Sequence, residues 1–287
     1  MKIDFTILTL RNRINPTWVK KVNYCKQPIR EMNCIIFLTV RTASSRLPKK
    51  ALLEIDHKPL IKILIDRIRT CENVKDIVVC TTTHESDDNL VRLLKDDNIE
   101  IFRGDNKDIL NRLYLAAKKY GVDQFVVVEG DDVFCEPVLI DETCRKLSEN
   151  KFDFLYWENL PFGVSPLGIK MRKLEKLMQA KKTKVAETGW GKFIIGSRFF
   201  NVGKLRPRNK KWIRPDIRLS VDYPQDFELI KKIYENLPSQ FSLTDIIELF
   251  NKNPEWQKIN ESVKEKYKQN FEKKMTKIAL KKRKKSK

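Results

Sequence analysis

A group of basic side chains directly follows the first long apolar run of the chain. Residues 41–50 read Arg-Thr-Ala-Ser-Ser-Arg-Leu-Pro-Lys-Lys, which places four cations among small residues within ten positions. Loops at the carboxyl ends of parallel strands are where α/β sheets bind ligands. Backbone amides beside small side chains approach phosphate oxygens closely, while cations offset the phosphate charge. The segment therefore favours a triphosphate-binding loop over an ordinary basic surface loop, although it lacks the GxxxxGK[ST] sequence.

Acidic residues lie at the carboxyl ends of two other predicted strands. Residues 126–132 read Val-Val-Val-Glu-Gly-Asp-Asp, and residues 219–222 read Leu-Ser-Val-Asp immediately before a predicted helix. A carboxylate at the end of a buried strand is costly unless it binds a partner, and Mg²⁺ prefers one or two carboxylates together with phosphate oxygens. Asp131 and Asp222 are therefore candidate ligands of one Mg²⁺ ion. Each has a simpler alternative, namely a Gly-Asp turn for Asp131 and a helix N-cap for Asp222.

These groups need a framework that brings the strand ends together. From about residue 33, apolar runs alternate with segments of helical periodicity, which predicts a mostly parallel, helix-covered sheet of the α/β class. The predicted strands are 34–40, 76–82, 99–102, 124–128 and 153–157, and the predicted helices are 60–68, 85–97, one capped by Asp105, and 137–148. The pattern then becomes irregular, with short strands expected at 165–170, 199–205 and 217–222 and helices from Pro224, over 243–250 and from Trp256.

The positive charge is concentrated at the two ends of the 287-residue chain. The formal net charge is +20, of which residues 1–31 contribute +5 and residues 266–287 contribute +10. We expect residues 1–31 to be an N-terminal extension or a misassigned start, 32–240 to form the main domain, and 241–287 to be a helical, basic C-terminal region. The basic tail is either a solvated end or a contact for RNA or an anionic surface. No apolar run reaches about 18 residues, so no transmembrane helix is expected.

The number and positions of the cysteines and histidines limit the redox environment and the kinds of catalytic or metal site that are expected. The six cysteines form no CxxC pair, and Cys34, Cys80 and Cys135 fall in or beside apolar runs, where cysteine acts as a small hydrophobe. This pattern indicates a reducing, cytoplasmic environment. Only two histidines occur in the chain, which argues against a histidine-built zinc site and against a Ser-His-Asp triad.

The loop and the two acidic segments together resemble one enzyme family. Residues 43–48, Ala-Ser-Ser-Arg-Leu-Pro, followed by Lys50, resemble the signature loop of the sugar-acid cytidylyltransferases. That family includes acylneuraminate and 3-deoxy-manno-octulosonate cytidylyltransferases and the spore-coat polysaccharide cytidylyltransferase-like proteins. Residues 102–112, 128–131 and 222–228 are similar to the spore-coat subgroup. Lys49 stands where the family usually has glycine.

The resemblance implies a nucleotidyltransferase fold of the Rossmann-like glycosyltransferase-A kind. It further implies transfer of CMP from CTP to an acidic sugar with release of pyrophosphate, for surface polysaccharide or glycan biosynthesis, with Mg²⁺ as cofactor and a homodimer as a possible assembly. By the same resemblance, Lys50, Arg46 and Asp131 are the expected catalytic residues, and Asp131 and Asp222 bind the metal. The nucleotide-binding residues that it implies are Arg41, Ser44, Ser45, Arg46, Lys50, Thr81, Thr82 and Arg103.

Two other functions remain open from the sequence. Residues 129–132, Glu-Gly-Asp-Asp, are also compatible with the metal motif of a glycosyltransferase that consumes a nucleotide sugar. A non-catalytic adaptor that binds RNA or an anionic surface through the basic tail is the third interpretation. Residues 187–190 fit no family pattern and are candidates for the acceptor pocket. Cations that could receive an acceptor carboxylate, or that are simply surface charge, are Lys170, Arg172, Lys192, Arg198 and Arg206.

Overall fold

The computed structural model describes residues 34–275, which form an α/β structure built on one large sheet. The strands are β1 (Cys34–Thr39), β2 (Glu54–Ile55), β3 (Lys58–Pro59), β4 (Asp76–Thr82), β5 (Glu100–Gly104), β6 (Gln124–Glu129), β7 (Phe154–Trp157), β8 (Leu167–Lys170) and β9 (Val202–Leu205). The helices are α1 (Leu60–Ile68), α2 (Asp88–Leu93), α3 (Ile109–Tyr120), α4 (Pro137–Ser148), α5 (Met171–Ala180), α6 (Trp190–Ser197), α7 (Pro224–Tyr234), α8 (Leu243–Lys252) and α9 (Glu261–Lys274). The expected extension over residues 1–31 and the end of the basic tail lie outside the described residues.

The main sheet has seven strands in the order β5-β4-β1-β6-β8-β7-β9. Strands β5, β4, β1 and β6 run parallel to one another, and β7 runs parallel to β9. Strand β8 is antiparallel to both β6 and β7. The predicted mostly parallel sheet is therefore confirmed, and the carboxyl ends of β1 and β6 lie side by side.

Helices cover both faces of the sheet, which explains the continuous apolar strands. On β1, Phe37 packs in one buried cluster while Ile36 and Leu38 pack in another on the opposite face. A third cluster joins α7 and α8 to the sheet, since Leu229 and Phe250 belong to it together with other core residues. Core residues of α8 thus share a cluster with those of α7 and of the sheet, and the expected boundary at residue 240 stays a prediction.

Four details of the predicted elements are wrong. Residues 217–222 form no strand in the structure and make only an isolated bridge between Arg218 and Phe162. The N-cap of α3 is Asp108, whose carboxylate accepts from the Asn111 amide, rather than Asp105. The predicted helix over 85–97 is a 3₁₀ turn followed by the short α2. Helices α5 and α6 were not expected, because they lie where the sequence pattern is irregular.

Two of the three cysteines that were expected to be free, apolar side chains are so, and the third is not. Cys80 and Cys135 are buried and unpaired, which confirms their use as small apolar side chains. Cys34 of β1 instead forms a disulfide with Cys144 of α4, so its predicted free state is wrong. Among the described residues, no helix is long and apolar enough to span a lipid bilayer.

Candidate active site

A cavity of about 770 Å³ opens at the carboxyl ends of β1 and β6. Its walls come from the 41–50 loop, the 129–131 turn, the 186–191 segment and helix α9. Ser44 and Ser45 line it together with the cations of the loop. The structure thus places the loop and the first acidic segment around one space, as parallel strand ends require.

Lys50 joins the two acidic segments inside this cavity. Its Nζ lies 2.5 Å from an oxygen of Asp131 and 3.0 Å from an oxygen of Asp222. Burial acts to lower the pKa of Lys50, but the attraction of Asp131 and Asp222 outweighs it and raises that pKa above its ordinary value. The side chain is therefore a fixed cation, and the two distant carboxylates meet at one point.

Arg46 approaches Asp222 from the same loop. The guanidinium donates to Asp222 and lies 5.4 Å from the ring centre of Tyr223. Burial favours the neutral form of Asp222, yet Lys50, Arg46 and Arg218 together hold the pKa of that carboxyl below its usual range. The buried Nε of Arg46 has no hydrogen-bond partner among the residues that the structure describes. The rest of the guanidinium is thus held by Asp222, and the side chain lines the cavity.

Arg218, which was not among the site residues predicted from the sequence, holds the Asp222 carboxylate from the protein interior. Its Nη2 donates to Asp222 at 2.9 Å, and its Nε donates to Asp226 at 2.9 Å. The guanidinium lies over the rings of Phe162 and Tyr267, 5.0 and 4.4 Å from their centres. The only sequence signal was an arginine four residues before Asp222, and an irregular segment gave no reason to pair the two.

The donor set at the 129–132 turn fits a divalent cation. One carboxylate oxygen each of Glu129, Asp131 and Asp132 lies within 4.8 Å of the others. Burial, with the Asp131 charge second, raises the pKa of Glu129 to about 8 and raises the pKa of Asp132 as well. Crowded carboxylates of this kind suit a hard cation with oxygen ligands. Asp222 is not part of this group of three; Lys50 donates to both Asp131 and Asp222.

The 186–191 segment forms the wall opposite the loop. The Glu187 carboxylate accepts from Arg41 at 2.8 Å and also from the fully buried Arg112. Trp190 Nε1 donates to Glu129 at 2.8 Å. Residues 187–190, which matched no pattern, therefore line the cavity and hold Arg41 in place.

Three expected nucleotide-binding residues lie elsewhere. Thr81 and Thr82 direct their hydroxyls to the buried Asp87, and Arg103 donates to the Thr82 carbonyl and pairs with Asp88. None of the three is among the residues that line the cavity. Their expected contact with the nucleotide stays a prediction, while in the structure their side chains bind Asp87, the Thr82 carbonyl and Asp88.

The Asp87 carboxylate accepts from the hydroxyls of Thr81 and Thr82. The stability that this carboxylate contributes should depend on pH. Burial opposes its ionisation, but hydrogen bonds from Thr42, Thr82 and Thr81 hold its pKa below the ordinary value. A lowered pKa adds stability above the unfolded-state value of about 3.9, and this stability is lost as the pH falls through the folded-state value. We expect Asp87→Asn to lower the free energy of unfolding by about 1–3 kcal/mol near neutral pH. Urea unfolding of both proteins should show this difference shrinking toward acid pH; a difference independent of pH would contradict the assignment.

Comparisons with known proteins agree with this geometry. Residues 35–248 match the cytidylyltransferase family. The spore coat polysaccharide biosynthesis protein of Bacillus subtilis is 25% identical over 233 residues, which cover 78% of this chain and 97% of that protein. A 3-deoxy-manno-octulosonate cytidylyltransferase of Geobacter sulfurreducens is 31% identical over 121 residues, which cover 42% of this chain and 47% of the enzyme.

A solved structure shares the fold. A cytidylyltransferase from Leptospira borgpetersenii superposes with a TM-score of 0.70 over 78% of this chain and 96% of its own, at 24% identity. This likeness confirms the expected Rossmann-like nucleotidyltransferase fold. Since the family match spans most of the residues, the chain belongs to the cytidylyltransferase family and is a nucleotidyltransferase.

Proposed function

We propose that the protein transfers CMP from CTP to an acidic sugar and releases pyrophosphate. The observation that carries the proposal is the meeting of Asp131 and Asp222 at Lys50, beside a loop of cations and within a cavity of about 770 Å³. A space of this size accommodates a nucleotide and a sugar together. Family membership decides against the non-catalytic adaptor.

The cations of the loop would bind the triphosphate. Arg41, Arg46 and Lys50 line the cavity; the neighbouring carboxylates raise the pKa of Lys50, and Glu187 orients Arg41. Charge neutralisation and in-line positioning are the main contributions that a protein makes to such a transfer. These side chains would hold the α-phosphorus in reach of the acceptor hydroxyl and stabilise the departing pyrophosphate.

The carboxylates would hold the metal ion. Asp131 and Asp222 are its proposed ligands, and the neighbouring oxygens of Glu129 and Asp132 complete an acidic environment. When bound there, Mg²⁺ supplies positive charge at the phosphate and acidifies a nearby hydroxyl. Arg218 keeps Asp222 ionised and correctly oriented for this role.

An acidic sugar is the proposed acceptor. The support is the resemblance of residues 43–50 to the sugar-acid enzymes and the name of the Geobacter relative, whose acceptor is 3-deoxy-manno-octulosonate. A role in polysaccharide assembly is supported by the name of the Bacillus relative. We place the reaction in the cytoplasm because CTP is supplied there, although a disulfide such as Cys34–Cys144 is unusual in that compartment.

A substrate screen tests the proposal. Each of CTP, UTP, ATP and GTP is combined with 3-deoxy-manno-octulosonate, with N-acetylneuraminate or with a neutral hexose, and pyrophosphate is measured in the presence and absence of Mg²⁺. We expect release only with CTP, an acidic sugar and the metal ion. Release of a nucleoside diphosphate from a nucleotide sugar, without pyrophosphate from any triphosphate, would instead support the glycosyltransferase interpretation.

A further inference from the structure

Helix α9 forms part of the cavity although it lies beyond the family match, which ends at residue 248. Tyr267, Phe271 and Lys274 line the cavity, and their spacing of four and three residues places them on one helical face. The neighbouring Lys273 is exposed and does not line it. One wall of the cavity therefore comes from a segment beyond the residues that match the family.

This wall is anchored at its start and in its middle. Asn260, directly before the helix, donates to the Asp226 carboxylate at 2.8 Å and to the Arg218 carbonyl at 3.1 Å. Asn270 donates to the Tyr223 hydroxyl at 2.9 Å. All three partners lie in residues 218–226, the segment that contains Asp222. These hydrogen bonds therefore fix the position of α9 relative to Asp222.

The helix also closes tightly on the wall of the 186–191 segment. Gly189 has a φ of 77°, and a Cβ placed there would lie 3.3 Å from the Phe271 ring and 3.1 Å from the Met275 side chain. The Lys192 ammonium lies 4.5 Å from the centre of the Phe271 ring. Phe271, Lys192 and Lys274 thus form one aromatic and cationic patch on the cavity wall.

The cations of this patch differ from those of the 41–50 loop. Arg41, Arg46 and Lys50 each pair with a carboxylate. Neither Lys192 nor Lys274 has a carboxylate partner between residues 34 and 275. An ammonium without a carboxylate partner is available to an anionic ligand, and the aromatic ring beside it presents apolar surface to a sugar.

We propose that α9 forms the acceptor wall of the cavity, where Phe271 packs against the sugar and Lys192 and Lys274 receive its carboxylate. The assignment rests on the proposed function, because it presumes an acidic acceptor. A nucleotide phosphate is the other anion that these ammonium groups could bind. A comparison of KM for the sugar acid with KM for CTP distinguishes the sugar carboxylate from the phosphate.

The experiment compares Lys274→Gln with the matched control Lys273→Gln in the full-length protein. We expect Lys274→Gln to raise KM for the sugar acid by about tenfold, the loss of one charged hydrogen bond, and to leave KM for CTP unchanged. Lys273→Gln should change neither constant, and Lys192→Gln should behave as Lys274→Gln does. Equal behaviour of the two α9 variants, or a rise in KM for CTP instead, would overturn the assignment.

A direct measurement of sugar-acid binding tests the acceptor wall independently of whether the protein catalyses the proposed reaction. Calorimetric titration of 3-deoxy-manno-octulosonate and of N-acetylneuraminate into each variant needs no turnover. If the wild-type protein releases no pyrophosphate yet binds an acid that Lys274→Gln and Lys192→Gln bind more weakly and that Lys273→Gln binds equally well, the proposed reaction is wrong and the acceptor wall stands. If no acid binds, or the wild type and all three variants bind it equally, the acceptor wall is wrong whatever the reaction.

Discussion

Asp131→Asn is expected to lower CTP-dependent pyrophosphate release by about 10²–10³. The substitution removes a charge that contacts Lys50 and that serves as a proposed metal ligand, while it keeps the size of the side chain. The backbone carbonyl of Asp131, which accepts from the Val221 amide, is unaffected. We therefore expect the rate to collapse without loss of the fold.

The measurement is the steady-state rate at saturating CTP, acid and Mg²⁺, together with a thermal unfolding curve. Asp66→Asn is the matched control, because Asp66 is an exposed carboxylate that also pairs with a lysine, Lys58. This control should keep both rate and Tm. A rate for Asp131→Asn close to that of the control would show that this carboxylate does not act in the reaction.

Arg218→Met is expected to produce the largest loss of stability. The side chain is only 5% exposed and pairs with Asp222 and Asp226, whose carboxylates are themselves buried. Removal of one partner from a buried ion pair costs about 3–5 kcal/mol, because the remaining charges lose their compensation. For a chain of this size the fall in Tm should be about 10 °C.

Urea unfolding and pyrophosphate release are both measured for this variant. Arg206→Met is the control, since Arg206 is largely exposed and pairs loosely with Glu158. Arg218→Lys should recover part of the stability but less of the rate, because one ammonium cannot reproduce the forked contact with two carboxylates. A loss of stability below about 1 kcal/mol for Arg218→Met would contradict the support that we assign to this arginine.

The framework of the fold was predictable because it depends on periodicity. The strand at 76–82 and the helices at 60–68 and 137–148 occur with the predicted bounds, since each has a clear apolar pattern and a clear start or end. The irregular half was not predictable in this way. Residues 217–222 have the apolar pattern of a strand, yet their backbone hydrogen bonds go to Phe162, to the Asp131 carbonyl and to the Asp226 carboxylate rather than to a neighbouring strand.

Site residues that belong to a sequence motif were predictable. Residues that reach the site only through tertiary packing were not. The loop and both acidic segments come together, whereas Arg218, Arg112 and α9 had no sequence signal that connects them to the cavity. Lys49 shows the same distinction. It has a φ of 55°, in the left-handed region that favours glycine, which accounts for the glycine that the family usually has there.

Transfer of label from CTP tests the central claim most directly. The protein is incubated with Mg²⁺, the sugar acid and CTP labelled at either the α- or the γ-phosphorus. Attack on the α-phosphorus predicts that the α label appears in a CMP–sugar product and that the γ label appears only in pyrophosphate. If the γ label instead appears in inorganic phosphate or on the sugar, or the α label never reaches the sugar, the proposed reaction at Asp131, Asp222 and Lys50 is wrong.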